Sequence, residues 1–190
     1  MKKRIKISII LLLAIFYIAA SFPHASVKAD AAAEEYAIVV SANASLTERY
    51  AAETLQEYLY ILNNSSFEII TDDQPFGGFK FCIGKTAVYD TSGDIQNKAP
   101  DSYVLAPFSD GLAIFFFFFR GTLYGVHTFL EDYCGFKCYA WNPVMVMTSD
   151  KMALPEEKIV YEPFFEYRNT DWRSGWMPLY SAAHKLNGEL

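Results

Sequence analysis

The chain has 190 residues, a formal charge of −6 and 17% aromatic side chains. Its acidity repels phosphate backbones and argues against nucleic acid as a partner, and its length suffices for one well-buried core with a little chain to spare. Three cysteines leave at least one thiol free or intermolecular.

The N-terminus comes first. Lys2, Lys3, Arg4 and Lys6 precede an apolar run at 7–20, and Val27-Lys28-Ala29 and Ala29-Asp30-Ala31 offer small residues for a peptidase. This predicts a signal peptide over 1–29 and a secreted, extracellular protein with no membrane partner after cleavage. The run of about fourteen residues is short for a span, and an uncleaved anchor is the alternative. No cysteine lies near the cleavage region, against a bacterial lipoprotein anchor. Loss of 1–29, with five basic and no acidic residues, takes the charge from −6 to −11.

The mature chain opens with a short β-branched strand at 36–40. Ser45-Leu46-Thr47-Glu48 is a capping box, and Ala51, Leu55, Tyr58, Leu59 and Leu62 follow at helical spacing. Asn63-Asn64 ends that helix, because asparagine tolerates left-handed backbone angles. Further strands are predicted at 67–70, 79–83 and 102–106, with a turn-rich loop at 72–78 and a polar loop at 91–100. A fifth spans 111–119. Its five consecutive phenylalanines, Phe115 to Phe119, cannot alternate apolar with polar. They must be buried on both faces of a sheet or cover a partner.

A second helix is predicted over 122–134, capped by Gly135, with Leu123, Val126, Leu130 and Tyr133 as its inward stripe. His127 lies on or beside that stripe and reads as a packed residue before a ligand or base. Short strands are expected at 138–141 and 144–147, then a linker at 155–163 with a strand-like centre at 159–161. The order predicts an α+β (two-layer α/β) domain over 30–154. Two helices lie on one face of a mixed, mostly antiparallel sheet.

Chemistry is sparse. There is no G-x-S-x-G, H-E-x-x-H, P-loop or dinucleotide fingerprint, so no catalytic residues and no cofactor are assigned. Gly121 and Gly125 have the wrong spacing for a phosphate turn and let a helix start close to the sheet. Adjacent Glu131 and Asp132 suit a solvated face. Cys134 and Cys138 are a candidate disulfide between helix end and next strand. Two sulfurs four apart without histidine are not a zinc pattern, so no metal is assigned. Cys82 reads as a small core residue.

R-G-T-L-Y-G-V-H-T-F-L-E-D at 120–132, C-G-F-K-C-Y-A-W at 134–141, Y-E-P-F-F-E-Y-R at 161–168 and H-K-L-N-G at 184–188 occur in that order. Together they resemble the N-terminal domain and barrel entry of secreted glycoside hydrolases. The similarity is to family 67 α-glucuronidases and to the second domain of family 20 β-hexosaminidases. The resemblance implies a non-catalytic accessory domain leading into a (β/α)8 barrel that carries the catalytic acids. Residues 155–190 are then a linker and the first βα unit of an incomplete barrel, with 165–168 as its first strand. Carbohydrate becomes a partner through the parent protein, and the barrel an intramolecular one. Arg168 matches an arginine that holds sugar hydroxyls, or else forms a structural ion pair. Trp172 and Trp176 stack on sugar faces, or else pack the loop. The alternatives are a stand-alone carbohydrate-binding module and a surface interaction protein pairing through the phenylalanine strand.

Overall fold

The computed structural model describes residues 35–94, 98–116, 120–139 and 145–188. The expected leader at 1–29, Phe117 to Phe119, Trp141 and Val144 lie outside them. Strand β1 is Tyr36–Val40, helix α1 Leu46–Asn63, β2 Glu68–Thr71, β3 Phe79–Ile83, β4 Tyr103–Phe108 and β5 Gly111–Phe115. Helix α2 is Gly121–Asp132, followed by β6 Phe136–Lys137, β7 Val146–Met147, β8 Ile159–Tyr161, a 3-10 turn Arg173–Trp176 and helix α3 Pro178–Ala183.

Six strands form one sheet in the order β2-β1-β3-β5-β4-β8, and β6 pairs with β7 apart from it. The sheet is mixed, but the expectation of mostly antiparallel pairing is corrected. β1–β2, β1–β3 and β3–β5 are parallel; only β4–β5 and β4–β8 are antiparallel. The reason lies in the connections. Helix α1 carries the chain back before β2 begins, as a parallel neighbour requires. The return from β2 to β3 needs no helix: residues 72–78 lay Phe76 on the sheet's second face. Only the tight β4–β5 connection is a hairpin, pairing Phe108 with Gly111.

Helix α1 starts and stops as its sequence dictates. The Ser45 amide donates to Glu48 Oε2 at 2.7 Å, and the Glu48 amide donates to Ser45 Oγ at 3.2 Å. Asn64 closes the helix at φ 51°, its N–H bonded to the Tyr60 carbonyl.

Both long helices share one core with the sheet. Ile38, Phe81, Leu112 and Ile114 meet Leu55 and Leu59 of α1 and Val126, Phe129 and Leu130 of α2. The opposite face carries Ala37, Val39, Cys82, Ala113 and Phe115, against Phe76, Tyr89 and Phe108. Strand β5 is therefore buried on both sides over 111–115, short of the expected end at 119.

Helix α2 is not the one-striped helix of the sequence expectation. Every residue from Gly121 to Leu130 is buried. Its first ten residues carry no charge, and such a helix belongs inside a fold. The sheet covers one side, while Ala182 and Ala183 of α3 join the cluster. Gly121 and Gly125 hold it against the strands. A Cβ on Gly121 would sit 2.0 Å from the Ser102 carbonyl oxygen, and one on Gly125 2.8 Å from Ile114 Cγ2. Among the described residues, no helix is long and apolar enough to cross a membrane.

Candidate functional site

The residues named by the sequence motifs converge on one buried polar node. Asp101, two residues ahead of β4, is 6% exposed at its side chain, and Arg168 Nη2 donates to its Oδ2 at 2.9 Å. Asn187 Nδ2 donates to the same oxygen at 3.0 Å and to the Glu166 carbonyl at 2.6 Å. The Arg168 amide donates to Asn187 Oδ1 at 2.7 Å, and the Asn187 amide returns to the Arg168 carbonyl at 2.8 Å. Tyr124 of α2 donates to the Leu186 carbonyl at 2.6 Å, and Arg120 Nη1 reaches it at 3.5 Å. Motifs at 120–132, 161–168 and 184–188 thus meet around Asp101.

Two backbone positions hold this node in uncommon conformations. Asp101 has φ 65° and Lys185 φ 56°, both left-handed without being glycine. The hydrogen bonds of Asp101 and the bond from Arg168 Nε to the Lys185 carbonyl at 2.7 Å offset that cost.

Arg168 is engaged on every guanidinium nitrogen. Besides Nε and Nη2, its Nη1 donates to the Phe165 carbonyl at 2.7 Å and the Glu166 carbonyl at 3.4 Å. Of the two alternatives for this residue, the ion pair is the one formed here. Residues 165–168 form no strand, which corrects the expected first barrel strand. A strand needs ladder partners; here the Phe165 and Glu166 carbonyls are satisfied by the side chains of Arg168 and Asn187 instead.

Trp172 precedes the 3-10 turn and Trp176 is its last residue; they are 78% and 62% exposed. Phe164, Phe165 and Tyr167, on the same segment, are also exposed. The structure brings Arg168 to Asp101 and Asn187 and leaves both indoles in solvent. Asp101 and Tyr124 were not singled out by sequence. Tyr124 reads as one more apolar-helix residue, and nothing around Asp101 announces a partner sixty-seven positions away.

The cysteine pair is corrected. Cys134 and Cys138 carry no disulfide, and both pack into the same cluster as α2. Burial pushes the Cys134 thiol up to about 12 and raises that of Cys138. The chain turns at Gly135 (φ 72°) and enters β6 between them, so each sulfur fills apolar space. Cys82 is fully buried, in keeping with a core role.

His127 is 1% exposed, and neither ring nitrogen has a hydrogen-bond partner. Burial first, then the charges of Lys185 and His184, push it down to about 4. It is a neutral packed residue. Glu131 reaches Lys137 at 3.1 Å on the helix surface, as a solvated acid would.

At the carboxyl ends of β1 and β3, where open α/β sheets bind ligands, backbone amides are taken by the protein's own carboxylates. Glu48 Oε1 accepts from the Lys85 amide at 3.1 Å, beneath Gly84, whose φ is 76°. Asp72 accepts from the amides of Ala42 at 3.0 Å and Ala87 at 2.8 Å. These carboxylates occupy the amides that an anionic ligand would use. Among the described residues, no group of three or more His, Cys, Asp or Glu is placed to hold a metal.

No protein-family model and no curated protein matches the sequence. Solved structures similar to part of the chain include two glycoside hydrolases. One is a GH138 enzyme targeting pectin rhamnogalacturonan II. It is 15% identical, with TM-score 0.36, over 52% of this chain and 10% of its own. The other is the GH20 chitobiase of Flavobacterium johnsoniae, 15% identical with TM-score 0.44, over 72% of this chain and 19% of its own. The chain spans between a tenth and a fifth of the length of these enzymes.

Proposed function

We propose that this chain is the non-catalytic accessory domain of a secreted bacterial glycoside hydrolase, and that its C-terminal segment packs against a catalytic (β/α)8 barrel. The observation that carries this reading is the row of exposed rings at Phe164, Phe165, Tyr167, Trp172 and Trp176, held on a segment locked at Arg168 and Asn187. Rings held rigidly in water have lost their freedom without gaining burial. A partner surface supplies about 1.5–3 kcal/mol for each one it covers. The motif order at 120–188 supports the barrel as that partner. The paired acids of glycoside hydrolysis then belong to the barrel.

Two measurements test it. The pure 190-residue chain should show no turnover of aryl glycosides; measurable turnover overturns the accessory role. In-frame DNA beyond the codon for Leu190 should encode a barrel with paired strand-end acids, and its absence overturns the barrel.

The exposure of Trp172 and Trp176 also favours a second reading, a stand-alone carbohydrate-binding or surface interaction module. Calorimetric titration with uronic-acid and amino-sugar oligosaccharides tests the first form, and flat heats remove it. A clean monomer in sedimentation removes the second.

A further inference from the structure

At the opposite edge of the sheet, where the parallel strands begin, a cleft of about 870 Å³ opens beside β1 and β2. Its size falls within the range of small-molecule sites. Half-buried Tyr36 and Phe76 give it aromatic walls. Glu35, Asn63, Glu68 and Lys151 form an exposed polar rim. None of those four side chains has a hydrogen-bond or ion-pair partner among the described residues. They differ in this from Glu48, Asp72 and Arg168, whose polar atoms are engaged within the fold.

We infer that this cleft is a binding site for a neutral oligosaccharide. The chemistry of the rim selects the class. Two carboxylates only accept, an ammonium only donates, and a carboxamide does both. A sugar hydroxyl satisfies all three, since it donates to Glu35 or Glu68 and accepts from Lys151. A phosphate or uronate brings a negative charge towards two carboxylates on a protein already at −6. A cationic ligand leaves Lys151 facing a like charge. The rings of Tyr36 and Phe76 offer surface for the C–H face of a pyranose, which needs no charge. The inference goes beyond the accessory-domain reading and does not depend on it: the cleft shares no residue with the 164–188 segment.

The test is calorimetric and NMR titration of the 190-residue chain with cellotetraose, xylotetraose and mannotetraose, beside a tetra-galacturonide and chitosan tetramer. At least one neutral tetrasaccharide should bind and shift the amides of Tyr36, Asn63 and Lys151. Lys151→Ala and Asn63→Ala, both at exposed positions, should each weaken it, Lys151→Ala by roughly tenfold. Phe76→Leu, which keeps apolar volume while removing the ring, should weaken it by a similar factor. Trp172→Ala/Trp176→Ala should leave it unchanged. Binding only of the charged sugars, shifts confined to 164–176, unaltered affinity in all three cleft variants, or no binding at all overturns the proposal.

Discussion

Arg168 and Asp101 are joined at 2.9 Å with side chains 14% and 6% exposed, although sixty-seven residues separate them. The pair fastens the last described segment to the entrance of β4. An ion pair this well buried is costly to break from one side, because the remaining charge keeps its desolvation without its partner.

Arg168→Ala should therefore lower unfolding stability by about 3 kcal/mol. Arg168→Lys should recover only part of it, since an ammonium cannot serve Asp101 and three carbonyls in the fixed fork geometry. Urea denaturation followed by tryptophan fluorescence measures both. A change within about 0.5 kcal/mol of wild type, typical of surface positions, would contradict the node.

His127 makes stability depend on pH. The unfolded ring takes a proton near its ordinary 6.5, the folded ring only near about 4. Between these values the unfolded state binds more protons, so stability is complete above about 6.5 and is lost progressively as pH falls towards 4. The full loss is of order 3 kcal/mol. In His127→Leu this component should vanish, so that the difference in stability between about pH 7 and about pH 4 shrinks. An unchanged difference would show that the histidine is not buried as a neutral ring.

Gly121→Ala places a methyl 2.0 Å from a backbone carbonyl, where no side chain can move aside. It should cost about 3 kcal/mol and lower Tm by several degrees. Gly125→Ala meets the Ile114 methyl at 2.8 Å and should cost less, because that contact is with a side chain. The order of the two Tm values is the check.

All three cysteines should be counted as thiols. With Ellman's reagent the folded protein should react slowly, since burial raises Cys134 to about 12 and Cys82 to about 11. In guanidinium without reductant, three thiols should appear per chain. A count of one would restore the Cys134–Cys138 bridge.

Trp172→Ala with Trp176→Ala should leave Tm within a degree or two, both rings being mostly in solvent. If the proposed accessory role holds, the double variant should associate less tightly with a separately expressed barrel, and equal affinity by calorimetry would contradict it.

Local signals were legible where the physics is local. The Ser45–Glu48 box, the Asn64 stop, strand 36–40 and the strand at 159–161 involve neighbours in sequence, and each stands as read. Strand β5 is buried on both faces as far as Phe115, while most of the phenylalanine run that prompted the expectation lies outside the described residues. Pairing direction was not legible, because it depends on how 72–78 crosses the sheet, and that loop spells only turns. The full burial of α2 escaped a stripe-counting reading, since its outer cover comes from α3, far along the chain. At the site, Arg168 and the two tryptophans were visible as residue types. Their roles were not, because Asp101 and Asn187 decide what the guanidinium does.

The reciprocal bonds between Arg168 and Asn187 close the stretch between them into a stapled ring, tied at its neck and bearing both indoles. Inside that ring Ala182 and Ala183 pack into the sheet's core cluster and the Leu186 carbonyl accepts from Tyr124, while both indoles stay in solvent. None of the six-stranded body's pairings uses a residue of this ring, so what the ring shows to solvent is set separately from the strand registers.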